Sequence, residues 1–288
     1  MDYDVDKIVG RIQKLPTIST VAFEIIQMCS NPSTTVKQLK SVIATDQSLT
    51  AQILRIANSS YYNYPRTIHS IERAIIILGF RMVQDIAISI AVYSFYRGIR
   101  NTNGFDVKDL WRHVLSTALI AKMLGFEYDP ELQSMLYVGG LLHDIGKLVE
   151  NVALQEDFSF IFEKSRQEGV RLDVIEDRFF NFTHADIGGK LLERWKLPPQ
   201  IVDMVRYHHN PVPESISGER IHYIRIVYLA NILAHFINKK WKSIHAVLQY
   251  DIHFKDVFRF SEQEFMDLVE RSKEVLQDNQ MYFEILQV

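Results

Sequence analysis

Cysteine is almost absent from this chain of 288 residues, and its scarcity limits the chemistry that is available. The single thiol, Cys29, excludes an internal disulfide and any thiolate-rich metal site. It ends an apolar helical pattern that begins at Ala22, so we expect a buried thiol in a core. Positive charge is not in excess either, because 32 Lys and Arg stand against 35 Asp and Glu. A formal net charge of −3 gives no basic field that would indicate a nucleic-acid partner.

Long apolar runs and a leader pattern are also missing. The first four residues, Met1 to Asp4, are acidic and lack the features of a secretory signal peptide. No stretch has the length and apolar character that a bilayer crossing requires. We therefore expect a cytoplasmic protein without a membrane partner. Hydrophobic residues nevertheless make up 47% of the chain, which is enough for a sizeable core.

Alternating strand patterns are scarce, and the sequence predicts an all-α fold. Apolar residues recur at helical spacing along most of the chain. The run from Ile75 to Leu78 is also compatible with a buried strand, but its helical neighbours favour a helix. Residues with capping side chains precede several predicted helices. They are Thr34 or Thr35, Asp46, Asp106, Asp129, Thr183 and Ser261.

Two polar segments divide the chain. Residues 98–104 are rich in turn formers and make the best internal boundary, and a second lies near residues 238–240. We predict an N-terminal helical subdomain over 1–100 and a helical subdomain with a metal site over 101–240. Residues 241–288 are predicted to form a C-terminal helical extension, in which Ser261 and Glu264 have the spacing of a capping box.

The adjacent pair His143 and Asp144 is the strongest functional signal. It ends a predicted buried helix, and imidazole and carboxylate are ligands that borderline and hard metals prefer. A buried carboxylate also needs a compensating partner. The alternative interpretation is a satisfied, hydrogen-bonded polar pair. Gly139 and Gly140 precede it by about one turn, a position where glycine lets another helix approach closely.

Together with His143 and Asp144, further ligand candidates are distributed over five predicted helices, as in metal sites built in the core of a helical bundle. They are His113, His184, His208, His209, Asp109 and Asn231. Asp109 and His113 are four residues apart and are expected to share a helix face.

Each of these candidates has a plainer alternative. His113 is also compatible with a core histidine, and Asn231 with a buried amide that bonds backbone. His184 fits a helix-start residue, and His208 with His209 fits a pair that complements a helix dipole. Asp109 suits a first helical turn for the same electrostatic reason.

Lys147 follows His143 by four residues and is expected to face the same space. Its alternative is a solvated lysine near a helix end. The remaining histidines are interpreted as structural or surface residues. They are His69, His222, His235, His245 and His253.

The order of these residues resembles the HD superfamily of metal-dependent phosphohydrolases. With the N-terminal half, the chain more specifically resembles the HDOD family, the HD-related output domains of bacterial signalling proteins. The resemblance covers roughly residues 15–212. Its segments are Trp111-x-His113, His143-Asp144-x-Gly146-Lys147, His184, His208-His209, Leu15-Pro16-Thr17, and residues 46–50, 54–59, 71–75 and 78–79.

This resemblance implies an HD-domain-like helical bundle with one or two divalent metal ions, for which iron, manganese, zinc and nickel all suit nitrogen and oxygen ligands. It implies a signal-transduction output module that acts mainly by binding a signalling protein partner. Tyr61, Tyr62 and Tyr64 are the predicted docking surface, and the alternative is that they pack within the break they occupy.

The alternative function is a metal-dependent phosphohydrolase or a (cyclic di-)nucleotide phosphodiesterase, with a phosphate ester or nucleotide as ligand. By resemblance, Asp144 would bridge two metal ions and Lys147 would contact the substrate phosphate. The HD-GYP branch of cyclic-di-GMP phosphodiesterases has a similar histidine set. However, Asn231 stands where that branch has its last carboxylate, and residues 210–213 replace its Gly-Tyr-Pro signature. Both departures argue against cyclic-di-GMP hydrolysis.

Overall fold

The computed structural model describes residues 3–10, 19–29, 31, 33–59, 64–102, 104–239, 241–251 and 253–285. Across these ranges the fold is all-α, as predicted, with one isolated bridge between Thr102 and Phe105 in place of any strand. The helices before this bridge are α1 (Val5–Gly10), α2 (Thr20–Cys29), α3 (Val36–Ala44), α4 (Gln47–Ala57), α5 (Ile71–Leu78) and α6 (Phe80–Tyr96).

The helices after the bridge include the longest ones. Those up to residue 238 are α7 (Val107–Tyr128), α8 (Gln133–Leu142), α9 (Ile145–Ala153), α10 (Gln155–Glu168), α11 (Leu172–Phe180), α12 (His184–Arg194), α13 (Pro199–Arg206) and α14 (Glu219–Asn238). The last four are α15 (Ile244–Tyr250), α16 (Phe254–Val257), α17 (Glu262–Asp278) and α18 (Gln280–Ile285).

Most of the predicted helix starts are confirmed by side-chain caps. Each of these side chains accepts a hydrogen bond from a backbone N–H in the first turn, which satisfies a donor that the helix itself leaves unpaired. The confirmed caps are Thr35, Asp46, Asp106, Thr183 and Ser261. The isoleucine run that was compatible with a strand lies in α5, which Ser70 caps.

The predicted helix start at Asp129 is wrong by several residues. Asp129 Oδ1 accepts from the backbone N–H of Glu131, and its carbonyl closes a single turn with Leu132. The carbonyl of Pro130 is occupied by the side chains of Arg81 and Gln133. It is therefore unavailable to the helical ladder, and α8 begins only at Gln133.

A single connected hydrophobic core extends from Ile8 to Tyr282. Helix α7 lies at its centre and packs against α8, α14 and α17. Its Trp111 is fully buried, with ring centroids 5.1 Å from Tyr93 and 5.0 Å from Tyr96. The aromatic contact joins the first part of the chain to α7, and α17 joins the last part to the same helix. The three predicted regions therefore share one core. Their boundaries stay predictions.

Helices α5 and α6 are the most apolar consecutive pair. By length and composition the two together would suit a membrane crossing, but they are bent by 119° at Gly79. Within the described ranges, no single helix meets those two requirements by itself.

Candidate metal centre

The break between α8 and α9 places His143 and Asp144 at the centre of the molecule. Helix α8 ends at Leu142 and α9 begins at Ile145, so the pair occupies the junction. Both side chains have essentially no exposure to solvent. The predicted position of the pair, at the end of a buried helix, is confirmed.

Two glycines allow the surrounding helices to approach this junction. A Cβ atom at Gly140 would lie 2.6 Å from the Cα of Ala118 on α7. At Gly146 it would lie 1.8 Å from the carbonyl oxygen of His184, at the start of α12. Any larger residue at either position would push α7 or α12 away from the junction, which confirms the predicted role of Gly140.

One side of Asp144 faces His113 and His143. The Oδ2 atom of Asp144 lies 3.4 Å from Nε2 of His143 and 3.7 Å from Nε2 of His113. In the described part of the chain, neither of these nitrogens has a hydrogen-bond partner, although both are buried. Buried polar atoms without a protein partner are uncommon, and their presence here suits a site that binds an ion or water.

The other oxygen of Asp144 faces a second group of histidines. Its Oδ1 atom lies 3.2 Å from Nε2 of His184 and 3.4 Å from Nε2 of His208. The Nε2 of His184 is also 3.3 Å from that of His208 and 3.1 Å from that of His209. We call His113, His143, Asp144, His184, His208 and His209 the His/Asp cluster. Asp144 is common to its two halves, each of which could hold a metal ion.

Three rings of the His/Asp cluster present the same nitrogen to its centre. Nδ1 of His143 lies 2.7 Å from the carbonyl oxygen of Gly140, and Nδ1 of His208 lies 2.7 Å from that of Val205. A carbonyl oxygen only accepts, so both Nδ1 atoms carry a proton. Nδ1 of His184 is 2.7 Å from Oε2 of Glu176. These contacts leave Nε2 as the nitrogen that faces the cluster.

Burial and charge set opposite protonation preferences within the His/Asp cluster. Burial lowers the pKa of His113 and of His208 to about 3, so both rings are neutral near pH 7. Burial also lowers the pKa of His184, but the carboxylates of Glu176 and Asp144 raise it overall to about 9. Burial opposes ionisation of Asp144, yet His143 and Lys147 hold its pKa well below the usual range. The carboxylate is therefore ionised and available as a ligand.

Asp109 does not join the His/Asp cluster, and this prediction is corrected. Its side chain is 74% exposed and accepts a hydrogen bond from Arg112. Helical side chains lean toward the N-terminus of their helix. A residue in the first turn of α7 therefore points out of the bundle, although it shares a face with His113.

Asn231 lies on α14 beside His113 and is buried. Its Oδ1 atom has no hydrogen-bond partner among the described residues. One turn later, His235 stacks on His113 with ring centroids 4.3 Å apart. His235, interpreted from the sequence as structural or surface, thus lies against the His/Asp cluster. The sequence signal for this position was its spacing of four residues from Asn231, which puts both residues on the same face of a helix.

Two further carboxylates, Glu150 on α9 and Glu176 on α11, were missed by the sequence analysis. Both are fully buried, and their oxygens lie within 4.8 Å of one another and of a ring nitrogen of His184. Burial and the neighbouring carboxylate of Glu176 raise the pKa of Glu150 well above its usual range. The signal for Glu176 was its helical spacing of four from both Leu172 and Phe180, which puts a carboxylate on an apolar face.

Two cavities border the His/Asp cluster. A cavity of about 440 Å³, here called the cationic cavity, is lined by Lys147, Arg166, Arg171, Lys239, His184 and His235. The ammonium of Lys147 is 2.6 Å from Oδ2 of Asp144, so its predicted orientation is observed. A second cavity, of about 630 Å³ and here called the outer cavity, includes Thr183 and Arg206. The two share Arg171, Asp173, His209 and Tyr250.

Some predicted features lie outside the described residues. These are Leu15-Pro16-Thr17 and the tyrosines Tyr61 and Tyr62. Tyr64 is described: its side chain is exposed, and its hydroxyl accepts a hydrogen bond from Arg73.

Comparison with known families gives a match over most of the chain. The sequence profile of the HDOD domain matches residues 15–211. An uncharacterised protein of Treponema pallidum (strain Nichols) is 26% identical over 237 residues. The match covers 80% of this chain but 44% of that protein, so the chain spans less than half of its relative's length.

Solved structures with the same fold extend over nearly the whole chain. An HDOD domain protein of unknown function from Geobacter sulfurreducens superposes with a TM-score of 0.76 at 22% identity, covering 98% of this chain and 99% of its own. A protein of Shewanella amazonensis SB2B, provisionally named a phosphohydrolase, superposes with a TM-score of 0.73 at 20% identity and 97% coverage of both chains. At these identities the likeness concerns the fold, and it includes the segment beyond residue 240.

Proposed function

Because the chain belongs to the HDOD domain family, we propose that it is a signal-transduction protein whose His/Asp cluster binds two divalent metal ions and hydrolyses a phosphate ester. The observation that carries this proposal is the close approach of three ring nitrogens. The Nε2 atoms of His208 and His209 both lie within 3.3 Å of Nε2 of His184. In His208 the proton is held on Nδ1, so its Nε2 offers a lone pair. Imidazole nitrogens that face each other and an ionised carboxylate form the kind of donor set that binds a metal cation.

The donor atoms fit a binuclear site. His113 and His143 would hold one ion and His184, His208 and His209 the other, with one oxygen of Asp144 directed to each. The absence of thiolate from this donor set favours iron, manganese, zinc or nickel. When bound, such ions act as Lewis acids toward phosphate oxygens and lower the pKa of a coordinated water.

The cationic cavity supports a phosphate-containing ligand. Lys147 reaches both Asp144 and the cavity, and its side chain is 13% exposed. An ammonium group in this position neutralises charge on a phosphate oxygen as the ester bond breaks. Lys147 is therefore the residue that we propose to contact the substrate phosphate.

The arrangement of the two cavities favours a phosphodiester over a monoester. They lie beside each other along His209 and Tyr250, so a phosphate at the His/Asp cluster has space for a substituent in each. Both cavities are of the size that small-molecule sites have, roughly 300–1,000 Å³.

The test is hydrolysis of bis(p-nitrophenyl) phosphate and p-nitrophenyl phosphate by purified protein of known metal content. We expect about two divalent metal ions per chain and faster cleavage of the diester. Asp144→Asn should lose metal and reduce the rate by more than about 100-fold, since even residues behind the ligands contribute 10- to 100-fold.

Asp109→Asn is the matched control, because it makes the same change at an exposed position on the helix that carries His113. It should retain the metal and the rate. Equal rates in wild type and Asp144→Asn would assign the activity to a contaminant. Protein with two metal ions and no hydrolysis of either ester would contradict the reaction.

The prediction of a docking surface for a signalling partner stays a prediction. Of its three tyrosines, Tyr64 alone is described, and its hydroxyl is engaged by Arg73. The family's signalling role supports a partner of this kind. The position of the surface on this chain is tested by exchanging Tyr64 for Asp and measuring partner binding together with the melting temperature.

A further inference from the structure

Glu176 occupies an unusual position behind the His/Asp cluster. It lies on α11, is fully buried, and uses one oxygen, Oε2, for two contacts with the same residue. This oxygen accepts from the backbone N–H of His184 at 2.8 Å and lies 2.7 Å from Nδ1 of its ring. The side chain therefore controls both the position of the first residue of α12 and the direction of its imidazole.

His184 needs an external partner for a reason that follows from its place in the chain. The rings of His143 and His208 donate from Nδ1 to carbonyl groups three residues earlier, at Gly140 and Val205. The local backbone thus orients both rings. His184 is the first residue of α12, so no helical turn of its own precedes it.

Capping alone does not account for Glu176. The start of α12 already has a capping box, in which Thr183 and Asp186 bond each other's backbone N–H groups. Glu176 adds a contact with the ring, which a cap does not require. Its distance from Nδ1 is that of a charge-assisted hydrogen bond.

We propose that Glu176 is a positioning residue that keeps the proton of His184 on Nδ1 and so presents the Nε2 lone pair to the metal ion. Carboxylates behind metal-bound histidines fix the ring nitrogen that binds and raise its basicity. This assignment rests on the proposed metal binding but not on the proposed hydrolysis. Loss of Glu176 should weaken the half of the cluster formed by His184, His208 and His209 and leave the half formed by His113 and His143 filled.

The experiment compares zinc binding by the full chain with binding by Glu176→Ala and Glu176→Gln. Zinc affinity is measured by competition with a chromophoric chelator. The nitrogen that carries the proton is identified from two-bond ¹H–¹⁵N correlation spectra of the zinc-loaded protein. Glu168→Gln, an exposed glutamate at the end of α10, is the matched control.

In the wild type and the control, we expect two zinc ions and a proton on Nδ1 of His184. Glu176→Ala should bind the second zinc ion about 10- to 100-fold more weakly. Glu176→Gln retains an acceptor oxygen, so His184 should keep its proton on Nδ1 in this variant. Its zinc affinity should lie between those of wild type and Glu176→Ala. This order separates positioning from a structural role, which would alter the melting temperature and leave zinc affinity unchanged.

If Glu176→Ala does not fold, two other results still decide the question. A proton on Nε2 of His184 in the zinc-loaded wild type, or a zinc affinity of Glu176→Gln equal to that of wild type, overturns the assignment. Folded Glu176→Ala with unchanged zinc affinity overturns it too. A wild type that binds no zinc overturns the proposed metal site together with this role. Normal zinc binding without ester hydrolysis contradicts the proposed reaction alone.

Discussion

His113 and His208 show how burial changes a single residue. Each ring is buried within the His/Asp cluster, and burial lowers its pKa to about 3. The ordinary histidine pKa is about 6.5, so the unfolded chain binds protons at a pH where these folded rings remain neutral. The folded state of the metal-free protein is therefore disfavoured by acid.

We predict that metal-free protein loses stability as the pH falls from about 6.5 toward 3. The unfolded state binds more protons than the folded state over this range, and each of the two rings contributes a loss of about 2 kcal/mol by pH 5. His184 acts in the opposite sense. Its pKa of about 9 is above the unfolded value, so its contribution is fully present below pH 6.5 and is lost as the pH rises through about 9.

The measurement is urea unfolding of chelator-treated protein at pH 7 and pH 5. His208→Gln removes one of the rings whose pKa burial lowers, so its free energy of unfolding should fall less between these two pH values, by about 2 kcal/mol. A variant with the same pH dependence as wild type would show that His208 does not titrate with a lowered pKa.

At the scale of elements, α14 supplies the side chains that lie beside His113 in the His/Asp cluster. The helix runs from Glu219 to Asn238, beyond the end of the family match, and places Asn231 and His235 beside His113. The amide oxygen of Asn231 is buried without a partner in the described structure. A neutral amide is a weaker ligand than a carboxylate, so this half of the site has fewer charges to hold a metal ion.

Asn231→Asp is expected to change metal-loaded and metal-free protein in opposite directions. The added carboxylate should raise metal affinity at His113 and His143. Without metal it is a buried charge that lacks a partner, which should lower the free energy of unfolding by several kcal/mol. Metal titration and denaturant unfolding with and without chelator measure the two effects. A variant that is destabilised in both forms would contradict a place for residue 231 at the metal.

At the scale of the whole molecule, the His/Asp cluster connects four separate parts of the chain. Its residues come from α7, the α8–α9 junction, α12 and the segment after α13, and α14 packs beside them. These ligands come together only in the folded chain, so a metal ion at the His/Asp cluster would bind the folded state and not the unfolded one. Its binding free energy would therefore add to the free energy of folding.

We predict that chelation lowers the melting temperature of metal-loaded protein. At a free metal concentration 100 times Kd, binding stabilises the fold by about 2.7 kcal/mol, which corresponds to a shift of roughly 5–10 °C for a domain of this size. Differential scanning calorimetry with and without chelator measures the shift. Asp144→Asn should melt at the same temperature under both conditions, and a shift of equal size in this variant would place the metal elsewhere.

The sequence by itself determined the all-α fold, the family, most helix starts and the central residues of the His/Asp cluster. Those features depend on local patterns: helical periodicity, capping side chains such as Thr183, and the adjacent pair His143 and Asp144. Tertiary structure decided the rest. The packing of helices distant in sequence decides which nitrogen each ring presents, leaves Asp109 exposed and places Glu176 behind His184. Local sequence patterns contain no information about that packing.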